Sequence, residues 1–214
     1  MARRSNHIAV LDYGMGNLHS VSKALQKVSE GARISVSADK QVLDSADRIV
    51  FPGVGAIRDC MAEIKRRSLD VAIEKAIRTK PVLAICVGMQ ALMDHSEENG
   101  GVDCLRLLPG NVRLFRAEQS VGYSLKVPHM GWNCVHQCRS HRLWDGIDQH
   151  SRFYFVHSYF VETSDTSLIS GQCHYGNQFV AAIGQENLFA VQFHPEKSAS
   201  SGLRLLKNFV AWDI

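Results

Sequence analysis

The pattern of apolar and polar positions over the first hundred residues predicts strands that alternate with helices. Short apolar runs predict buried strands over residues 8–11, 34–36, 48–51 and 82–85. Apolar residues at helical spacing predict a helix over 18–28, with Asn17 as its N-cap and Gly31 as its terminator. Residues 56–79 predict further helix with a break near Ser68. This rhythm is typical of a parallel sheet with helices on both faces, whose ligands gather at the carboxyl ends of the strands.

After Gly100 the pattern changes to short β-like runs separated by turn residues. These runs cover residues 112–115, 125–127, 153–161, 168–174, 179–183 and 188–193. One helical face over 200–212 closes the chain. We therefore predict an α/β fold with an open, mostly parallel sheet flanked by helices and an additional antiparallel or mixed β layer in the C-terminal half. The absence of repeats and linkers in the sequence favours a single domain over residues 1–214.

Composition and charge narrow the class of protein. Hydrophobic residues make up 45% of the 214 residues and charged residues 21%, which is ordinary for a globular protein. A net charge of +3 with both signs interspersed is too small to indicate a nucleic-acid partner. The apolar run behind the basic start is too short for a signal peptide, and no segment has membrane length. Six scattered cysteines suit reduced thiols, so we expect a cytoplasmic protein without a membrane partner.

A candidate nucleophile lies where the strand over 82–85 turns directly into a helix. Cys86 occupies this joint in the sequence Ile-Cys-Val-Gly-Met-Gln. Such a turn exposes the side chain at the carboxyl end of the strand and points the helix amides at it, which favours the reactive thiolate. Taken alone, a cysteine after an apolar run is more often a small core residue.

Two further segments favour a catalytic role for Cys86 over a role as a core residue. Pro52-Gly53-Val54-Gly55 follows a strand, and its two glycines let the backbone approach a neighbour closely, although a plain tight turn has the same composition. At the end of the strand over 188–193, Glu196 follows His194 by two positions, which lie on the same side of an extended chain. Glu196 can then orient the His194 ring, and a base held by a carboxylate is what a thiol nucleophile needs.

Other segments have alternatives that the sequence leaves open. Gly14-x-Gly16 invites a dinucleotide-binding interpretation, but His19 stands in the place of the third glycine. Residues 134–141 hold two cysteines and two histidines, in a spacing that differs from the usual structural zinc patterns. The segment 128–133 is either a core corner or a partner surface, and 154–159 can be a core strand with a polar end.

Together these segments resemble the class I, triad-type glutamine amidotransferases, and more narrowly the glutaminase subunits of imidazole glycerol phosphate synthases in histidine biosynthesis. The motifs span nearly the whole chain in the order of that family. They are Asp-Tyr-Gly-Met-Gly-Asn at 12–17, Phe-Pro-Gly-Val-Gly at 51–55, Ile-Cys-Val-Gly-Met-Gln at 85–90, Pro-His-Met-Gly-Trp-Asn at 128–133, Tyr-Phe-Val-His-Ser-Tyr at 154–159 and Gln-Phe-His-Pro-Glu-Lys-Ser at 192–198. The resemblance implies a flavodoxin-like fold.

The resemblance also implies roles in the hydrolysis of glutamine to glutamate and ammonia. Cys86 would attack the side-chain amide, His194 would pass a proton to the departing ammonia, and Glu196 would hold His194. Backbone amides that would bind the oxyanion are those of Val87, Val54 and Gly53. Positions that would line the glutamine pocket are Gly55, Gln90, Ser158 and Tyr159. No cofactor and no metal are implied.

A heterodimer follows from the same resemblance. Ammonia would pass to a separate cyclase subunit with a (β/α)8 barrel, which makes imidazole glycerol phosphate and aminoimidazole carboxamide ribotide. The sequence reaches Ile214 with no cyclase appended, so we expect the partner in trans. Residues that match interface positions of the family are His129, Met130, Gly131, Trp132 and Lys197.

One departure and two alternatives accompany this hypothesis. The family usually has glycine two residues before the nucleophile, where this chain has Ala84. A methyl group there can crowd the elbow, but alanine is small and is tolerated in a strand if the facing helix yields slightly, so the departure concerns the rate rather than the identity of the protein. One alternative is a paralogue that supplies ammonia to a different synthase, for instance in a surface-sugar pathway. The other is a non-catalytic binding module, which would be expected to lose Cys86, His194 or Glu196.

Overall fold

The computed structural model describes residues 6–116 and 125–213, and its α-helices, with one exception, lie in predicted helical segments. They are α1 Leu18–Val28, α2 Lys40–Ser45, α3 Ile57–Arg66, α4 Asp70–Thr79, α5 Val87–Ala91 and α6 Ala199–Val210. Ser68 has a φ of 50°, which separates α3 from α4 at the predicted break. In the described part of the chain, no helix is long and apolar enough to cross a membrane.

The strands are short, as expected for a mixed sheet. They are β1 His7–Leu11, β2 Arg33–Ser37, β3 Arg48–Gly53, β4 Val82–Cys86, β5 His95–Ser96, β6 Val102–Asp103, β7 Asn111–Leu114, β8 His129–Cys134, β9 His136–Gln137, β10 Arg152–His157, β11 Tyr159–Glu162, β12 Ile169–Tyr175, β13 Asn177–Gln185 and β14 Leu188–Val191. Short 3-10 helices lie at Glu98–Gly100, Arg142–Trp144, Thr166–Leu168 and Pro195–Lys197.

The parallel half of the sheet confirms the predicted α/β class. Its order is β2-β1-β3-β4-β14, and each neighbouring pair is parallel. β1, β3, β4 and β14 are buried along their whole length, as continuous apolar runs predict for strands covered on both faces. α1 packs against α6, α2 against α4 and α3 against α5. This arrangement brings the carboxyl ends of β3, β4 and β14 side by side.

The strands of the second half mostly extend this same sheet, through antiparallel pairs and one parallel pair between β5 and β7. From β14 the order continues through β13, β11, β7, β5 and β6, while β12 pairs with β13 and β9. Among the described residues, β8 and β10 form a separate antiparallel pair with Trp132 opposite Tyr154. The mixed character of this half was predicted. The sequence pattern did not predict which strands continue the parallel half. That order depends on which strands pair, and the paired strands can lie far apart in the chain.

Three local predictions differ from the structure. The run over 153–161 is two strands, because the chain leaves the β8 pair at Ser158 and joins β7 and β13. Residues 125–127, predicted as a strand, are not in one. The helix α2 was missed, since it buries only Leu43, and it begins where the Asp39 side chain accepts a hydrogen bond from the Gln41 amide at 2.8 Å.

Candidate active site

Cys86 lies at the joint between β4 and α5, as the sequence predicted. Its backbone has φ 55° and ψ −112°, an unusual conformation for a residue with a side chain, and the residue is only 4% exposed. Such strain persists only where the surrounding structure holds it, and it occurs often at functional sites. Ala84 pairs with Phe51 and Ala190 inside the sheet and is fully buried. The strand therefore accommodates its methyl group.

The glycine-rich loop after β3 lies directly beside the nucleophile candidate. Gly53 is the register partner of Cys86. A Cβ atom on Gly53 would stand 2.6 Å from the amide nitrogen of Gly88 and 2.7 Å from the Tyr13 hydroxyl, so only glycine fits here. Gly55 has a φ of 90°, which also favours glycine. The two glycines thus allow a close approach rather than forming a plain turn.

Two buried donors hold the carbonyl groups of this loop. The Tyr13 hydroxyl donates to the Pro52 carbonyl at 2.8 Å, and the Cys60 thiol donates to the Val54 carbonyl at 3.6 Å. Burial raises the pKa of Tyr13 well above its ordinary value and raises the pKa of Cys60 to about 11, so both groups keep their protons. The sequence assigned a role to neither residue. Tyr13 lies within the family motif at 12–17, whereas nothing in the sequence around Cys60 indicates more than a buried position in a helix.

His194 and Glu196 form the predicted pair. The distance from His194 Nδ1 to Glu196 Oε1 is 2.9 Å, and the side chains are 3% and 0% exposed. The sequence predicted this contact between His194 and Glu196, but it did so by assuming an extended chain, and that assumption was wrong. Glu196 lies in the 3-10 helix Pro195–Lys197, whose tight turn carries the carboxylate back to the ring. Ser198 fixes the turn, because its hydroxyl donates to the His194 carbonyl at 2.6 Å.

The charge of His194 is coupled to Cys86. Burial disfavours the imidazolium, but a Cys86 thiolate and the Glu196 carboxylate outweigh burial and raise the pKa of His194 to about 10. A histidine that holds its proton beside a thiol favours the thiolate–imidazolium pair. The arrangement supplies a nucleophile, a proton donor and a group that orients the donor.

A cavity of about 340 Å³ opens in front of these groups. Of the predicted site residues, its lining includes Val54, Gly55, Cys86, Val87, Gln90, Ser158, Tyr159 and His194. Gly53 and Glu196 are not in the lining, but each contacts a lining residue, since Gly53 pairs with Cys86 and Glu196 with His194. The sequence missed four lining residues, which are Glu98, Pro128, Val156 and His157. Burial raises the pKa of the Glu98 carboxyl, whose Oε2 accepts a hydrogen bond from the Ile57 amide at 3.2 Å.

The Gln90 side chain connects the cavity lining to a buried glutamine behind Cys86. Its Nε2 donates to the Tyr159 carbonyl and to Gln192 Oε1, at 3.0 Å in both cases. Gln192 Nε2 in turn lies 3.6 Å from Cys86 Sγ, within hydrogen-bond range for sulfur. Gln192 is fully buried, and the sequence assigned it no role although it lies in a quoted motif.

Comparison with known proteins identifies the family. The family model described as "Glutamine amidotransferase class-I" matches residues 9–212. The chain is 57% identical over 207 residues to "Imidazole glycerol phosphate synthase subunit HisH 1" of Pseudomonas aeruginosa, which covers 96% of this chain and 97% of that protein. It is 57% identical over 208 residues to the HisH subunit of Acinetobacter baylyi, which covers 97% and 98%. The chain belongs to the class-I glutamine amidotransferases, among the HisH subunits.

Solved structures of distant proteins share the fold of this amidotransferase. The structure of PurLQS from Thermotoga maritima superposes with a TM-score of 0.73 at 19% identity and covers 97% of this chain and 99% of that one. A crystal structure described as a glutamine amidotransferase gives a TM-score of 0.70 at 15% identity and covers 95% and 97%. At such identities the likeness supports the fold alone, and it confirms the predicted α/β class.

The five residues predicted to face a partner separate into two groups. Met130 and Trp132 are 62% and 43% exposed and point outwards from β8, with Gly131 between them. The Trp132 ring lies 6.2 Å from the Tyr154 ring, and Lys197 Nζ lies 5.8 Å from the same ring. We call Met130, Trp132, Tyr154 and Lys197 the exposed aromatic patch. Lys197 connects the patch to His194 through the 3-10 helix.

The His129 side chain, unlike those of Met130 and Trp132, points into the interior of this amidotransferase. The residue is 3% exposed, and its ring stacks on Phe155 and Tyr175. Its Nδ1 lies 2.9 Å from Nε2 of His157, whose own Nδ1 donates to the Tyr159 carbonyl at 2.8 Å. Strand alternation explains this direction, because a residue next to an exposed position points to the opposite face.

The cysteines and histidines over 134–141 do not form a cluster. Cys134 and Cys138 are exposed, and the His141 ring stacks on Phe189 at 4.5 Å. Within residues 6–116 and 125–213, no group of three or more His, Cys, Asp and Glu side chains could hold a metal ion. The zinc alternative therefore has no support from the positions of these residues.

Proposed function

We propose that this protein hydrolyses glutamine to glutamate and ammonia, with Cys86 as the nucleophile. The observation that carries the proposal is the convergence of the strained Cys86 and the His194–Glu196 pair on one cavity. We further propose that residues 1–214 act as one catalytic domain of a cytoplasmic enzyme.

The reaction divides into two acyl-transfer steps. The Cys86 thiolate attacks the carbon of the glutamine side-chain amide, and the carbonyl electrons move to oxygen. When this tetrahedral intermediate collapses, the carbon–nitrogen bond breaks and the His194 imidazolium gives its proton to the departing ammonia. Neutral His194 then takes a proton from water, which attacks the thioester carbon. The carbon–sulfur bond breaks, glutamate leaves and the thiolate is restored.

Backbone amides are proposed to bind the oxyanion. Val87 opens α5, and the first amides of a helix have no partner within the helix. The loop amides of Gly53 and Val54 lie on the neighbouring strand end, where Tyr13 and Cys60 hold the carbonyl groups. Loss of one such donor typically costs about 3 kcal/mol in the activation barrier.

The cavity suits a small amino acid. Its volume of about 340 Å³ is at the small end of ligand sites. We propose that Gly55, Gln90, Ser158 and Tyr159 contact the glutamine. The Glu98 carboxylate lies in the same lining and would pair with the substrate ammonium.

We also propose a synthase partner that consumes the ammonia. The similar Pseudomonas and Acinetobacter proteins are named as subunits of imidazole glycerol phosphate synthase. The partner would be a cyclase with a (β/α)8 barrel that makes imidazole glycerol phosphate and aminoimidazole carboxamide ribotide. Exposed Met130 and Trp132 are of the residue types common at interfaces, and Lys197 adjoins them. They would form part of the contact, with Gly131 between them.

The test measures glutamate release by the wild type, by Cys86→Ala and by Cys138→Ala, each alone and with the cyclase and its ribulotide substrate. We expect Cys86→Ala to abolish hydrolysis and still bind the cyclase, while Cys138→Ala, at an exposed position, behaves like the wild type. The cyclase with its substrate should raise the wild-type rate by orders of magnitude. Residual hydrolysis by Cys86→Ala would refute the nucleophile, and stimulation only by another acceptor enzyme would favour the paralogue.

A further inference from the structure

We propose that Gln192 is a further catalytic residue, whose side-chain amide donates a hydrogen bond to the sulfur of Cys86 and stabilises it as a thiolate. This inference rests on the proposed function, because it concerns the nucleophile of that reaction. Gln192 has no part in the triad or in the proposed oxyanion site. It nevertheless touches the reacting atom.

The contact is built into the centre of the sheet. Gln192 directly follows β14, and its backbone amide donates to the Ala181 carbonyl at 2.9 Å. Its side chain is fully buried and reaches across to the end of β4, where Nε2 stands 3.6 Å from Cys86 Sγ. A buried amide needs partners for its polar atoms. One of these partners is the sulfur atom.

A second glutamine decides which end of the Gln192 amide faces the sulfur. Gln90 Nε2 donates to Gln192 Oε1 at 3.0 Å and is itself anchored on the Tyr159 carbonyl at 3.0 Å. Rotating the Gln192 amide by half a turn would set two N–H groups against each other and turn an oxygen towards the sulfur. The Gln90 contact therefore selects the orientation in which Gln192 donates to Cys86. Gln90 is a positioning residue in this respect.

The charge on the Cys86 sulfur changes during the reaction, and the strength of the hydrogen bond from Gln192 changes with it. An N–H bond to an ionised acceptor is stronger than one to a neutral acceptor, so Gln192 favours the thiolate over the thiol. When the carbon–sulfur bond forms, this charge moves to the carbonyl oxygen. When water has attacked the thioester and the bond breaks, the electron pair returns to sulfur and the N–H bond stabilises the leaving thiolate.

The other polar groups around Cys86 are ionisable, whereas the Gln192 amide carries no charge at any pH. His194 lies after β14, Cys60 in α3 and Tyr13 after β1, and each interacts electrostatically with Cys86. Glu98 lines the same cavity. Burial keeps Cys60 and Tyr13 protonated, which leaves His194 as the group that changes charge with the nucleophile. Gln192 would act on the sulfur at every pH without adding a charge.

The experiment compares Gln192→Met with wild type and with Gln185→Met, a matched change of an exposed glutamine. Methionine keeps a similar length and removes the N–H donor. The first measurement is the rate of iodoacetamide alkylation of Cys86 as a function of pH. It is read by mass spectrometry of the peptide that carries Cys86, because Cys134 and Cys138 are exposed and also react. The second is glutamine hydrolysis in the complex with the cyclase.

For Gln192→Met we expect the midpoint of the alkylation profile to move upwards by about one pH unit, and kcat/KM for glutamine to fall about 10-fold or more. Gln90→Met, which leaves Gln192 present but without its orienting contact, should move the midpoint in the same direction by less. Gln185→Met should match the wild type in both measurements. Thermal unfolding of each variant establishes that the chain is folded before alkylation is measured.

A profile for folded Gln192→Met that superimposes on that of wild type would overturn this proposal. If Gln192→Met does not fold, the decision passes to Gln90→Met, and an unmoved profile there has the same meaning. The result is separable from the proposed function. If the wild type hydrolyses glutamine and Cys86→Ala does not, the proposed function is supported, whatever the result for Gln192→Met. A moved profile in a protein without glutaminase activity would support the contact and refute the function.

Discussion

Gly88 lies so close to Phe51 that a Cβ atom on Gly88 would stand 2.1 Å from the Phe51 carbonyl oxygen. The contact joins the first turn of α5 to β3, the strand that ends in the glycine-rich loop. Real Cβ atoms do not approach a backbone oxygen to that distance, so the helix must carry glycine here. Because α5 begins immediately after Cys86, this contact sets the distance between the nucleophile and the loop.

Gly88→Ala should therefore lower both stability and activity. The new methyl group must push α5 away from β3, and overpacking of this kind costs about 2 to 3 kcal/mol of unfolding free energy. Urea unfolding and glutamine hydrolysis measure the two effects. Gly184→Ala is the comparison, since its Cβ would meet the Ser170 side chain at 3.2 Å, away from the active site. Equal losses of activity in the two variants would contradict the role of the contact.

Tyr13→Phe should lower kcat for glutamine hydrolysis and should lower the free energy of unfolding only slightly. It removes the hydroxyl that donates to the Pro52 carbonyl, so the loop beside Cys86 loses a buried hydrogen bond of about 1 kcal/mol. We expect a lower kcat with KM little changed. Tyr175→Phe removes an exposed hydroxyl-to-carbonyl bond, from Tyr175 to the Lys126 carbonyl at 2.6 Å, and serves as control for the loss of a tyrosine hydroxyl. A wild-type kcat in Tyr13→Phe would show that the loop does not need this donor.

Acid should destabilise the protein through its buried histidines. Burial lowers the pKa of His129 to about 4 and, against the opposing hydrogen bond to the Tyr159 carbonyl, lowers the pKa of His157 to about 3, where the ordinary value is 6.5. Below about pH 6.5 the unfolded chain binds protons at these positions and the folded chain does not, so the free energy of unfolding falls as the pH falls towards 4.

Denaturant unfolding at pH 7 and pH 5 tests this expectation. His129→Gln should show a smaller loss of stability between the two pH values than wild type, because one of the buried histidines no longer titrates. His19→Gln makes the same change at an exposed position and should keep the wild-type loss. An unchanged loss in His129→Gln would mean that this histidine does not contribute to the acid sensitivity.

Arg48→Met should destabilise the fold without changing catalysis. Arg48 is 5% exposed and holds the C-terminal segment to β3, because its Nε donates to the Trp212 carbonyl at 2.8 Å and its guanidinium pairs with Asp213 at 2.5 Å. Losing these charge-assisted bonds should lower the unfolding free energy by about 2 to 3 kcal/mol. Arg66→Met, which removes an exposed pair with Glu63, should change little. If kcat/KM of Arg48→Met fell at a temperature where the variant is folded, the expectation that Arg48 affects stability but not catalysis would be contradicted.

The sequence by itself determined the parallel half of the fold and the position of the nucleophile. Long-range contacts are not needed to predict that a buried run such as 82–85 is a strand or that Cys86 follows it, because periodicity and turn residues are local properties. The pairing of His194 with Glu196 was also predicted. Its cause was not, since a 3-10 turn and an extended chain can bring the same two residues together.

Tertiary structure alone decided which side chains surround Cys86. Cys60 reaches the loop beside Cys86 from α3, and nothing in its neighbouring residues distinguishes it from an ordinary core position. Gln192 lies in a family motif, but its contact with Cys86 joins residues that are 106 positions apart in the chain. His129 points inwards and Met130 outwards because β8 pairs with β10, a register that joins residues far apart in the chain. Contacts of this kind depend on packing between distant segments, and a local pattern carries no record of the distant partner.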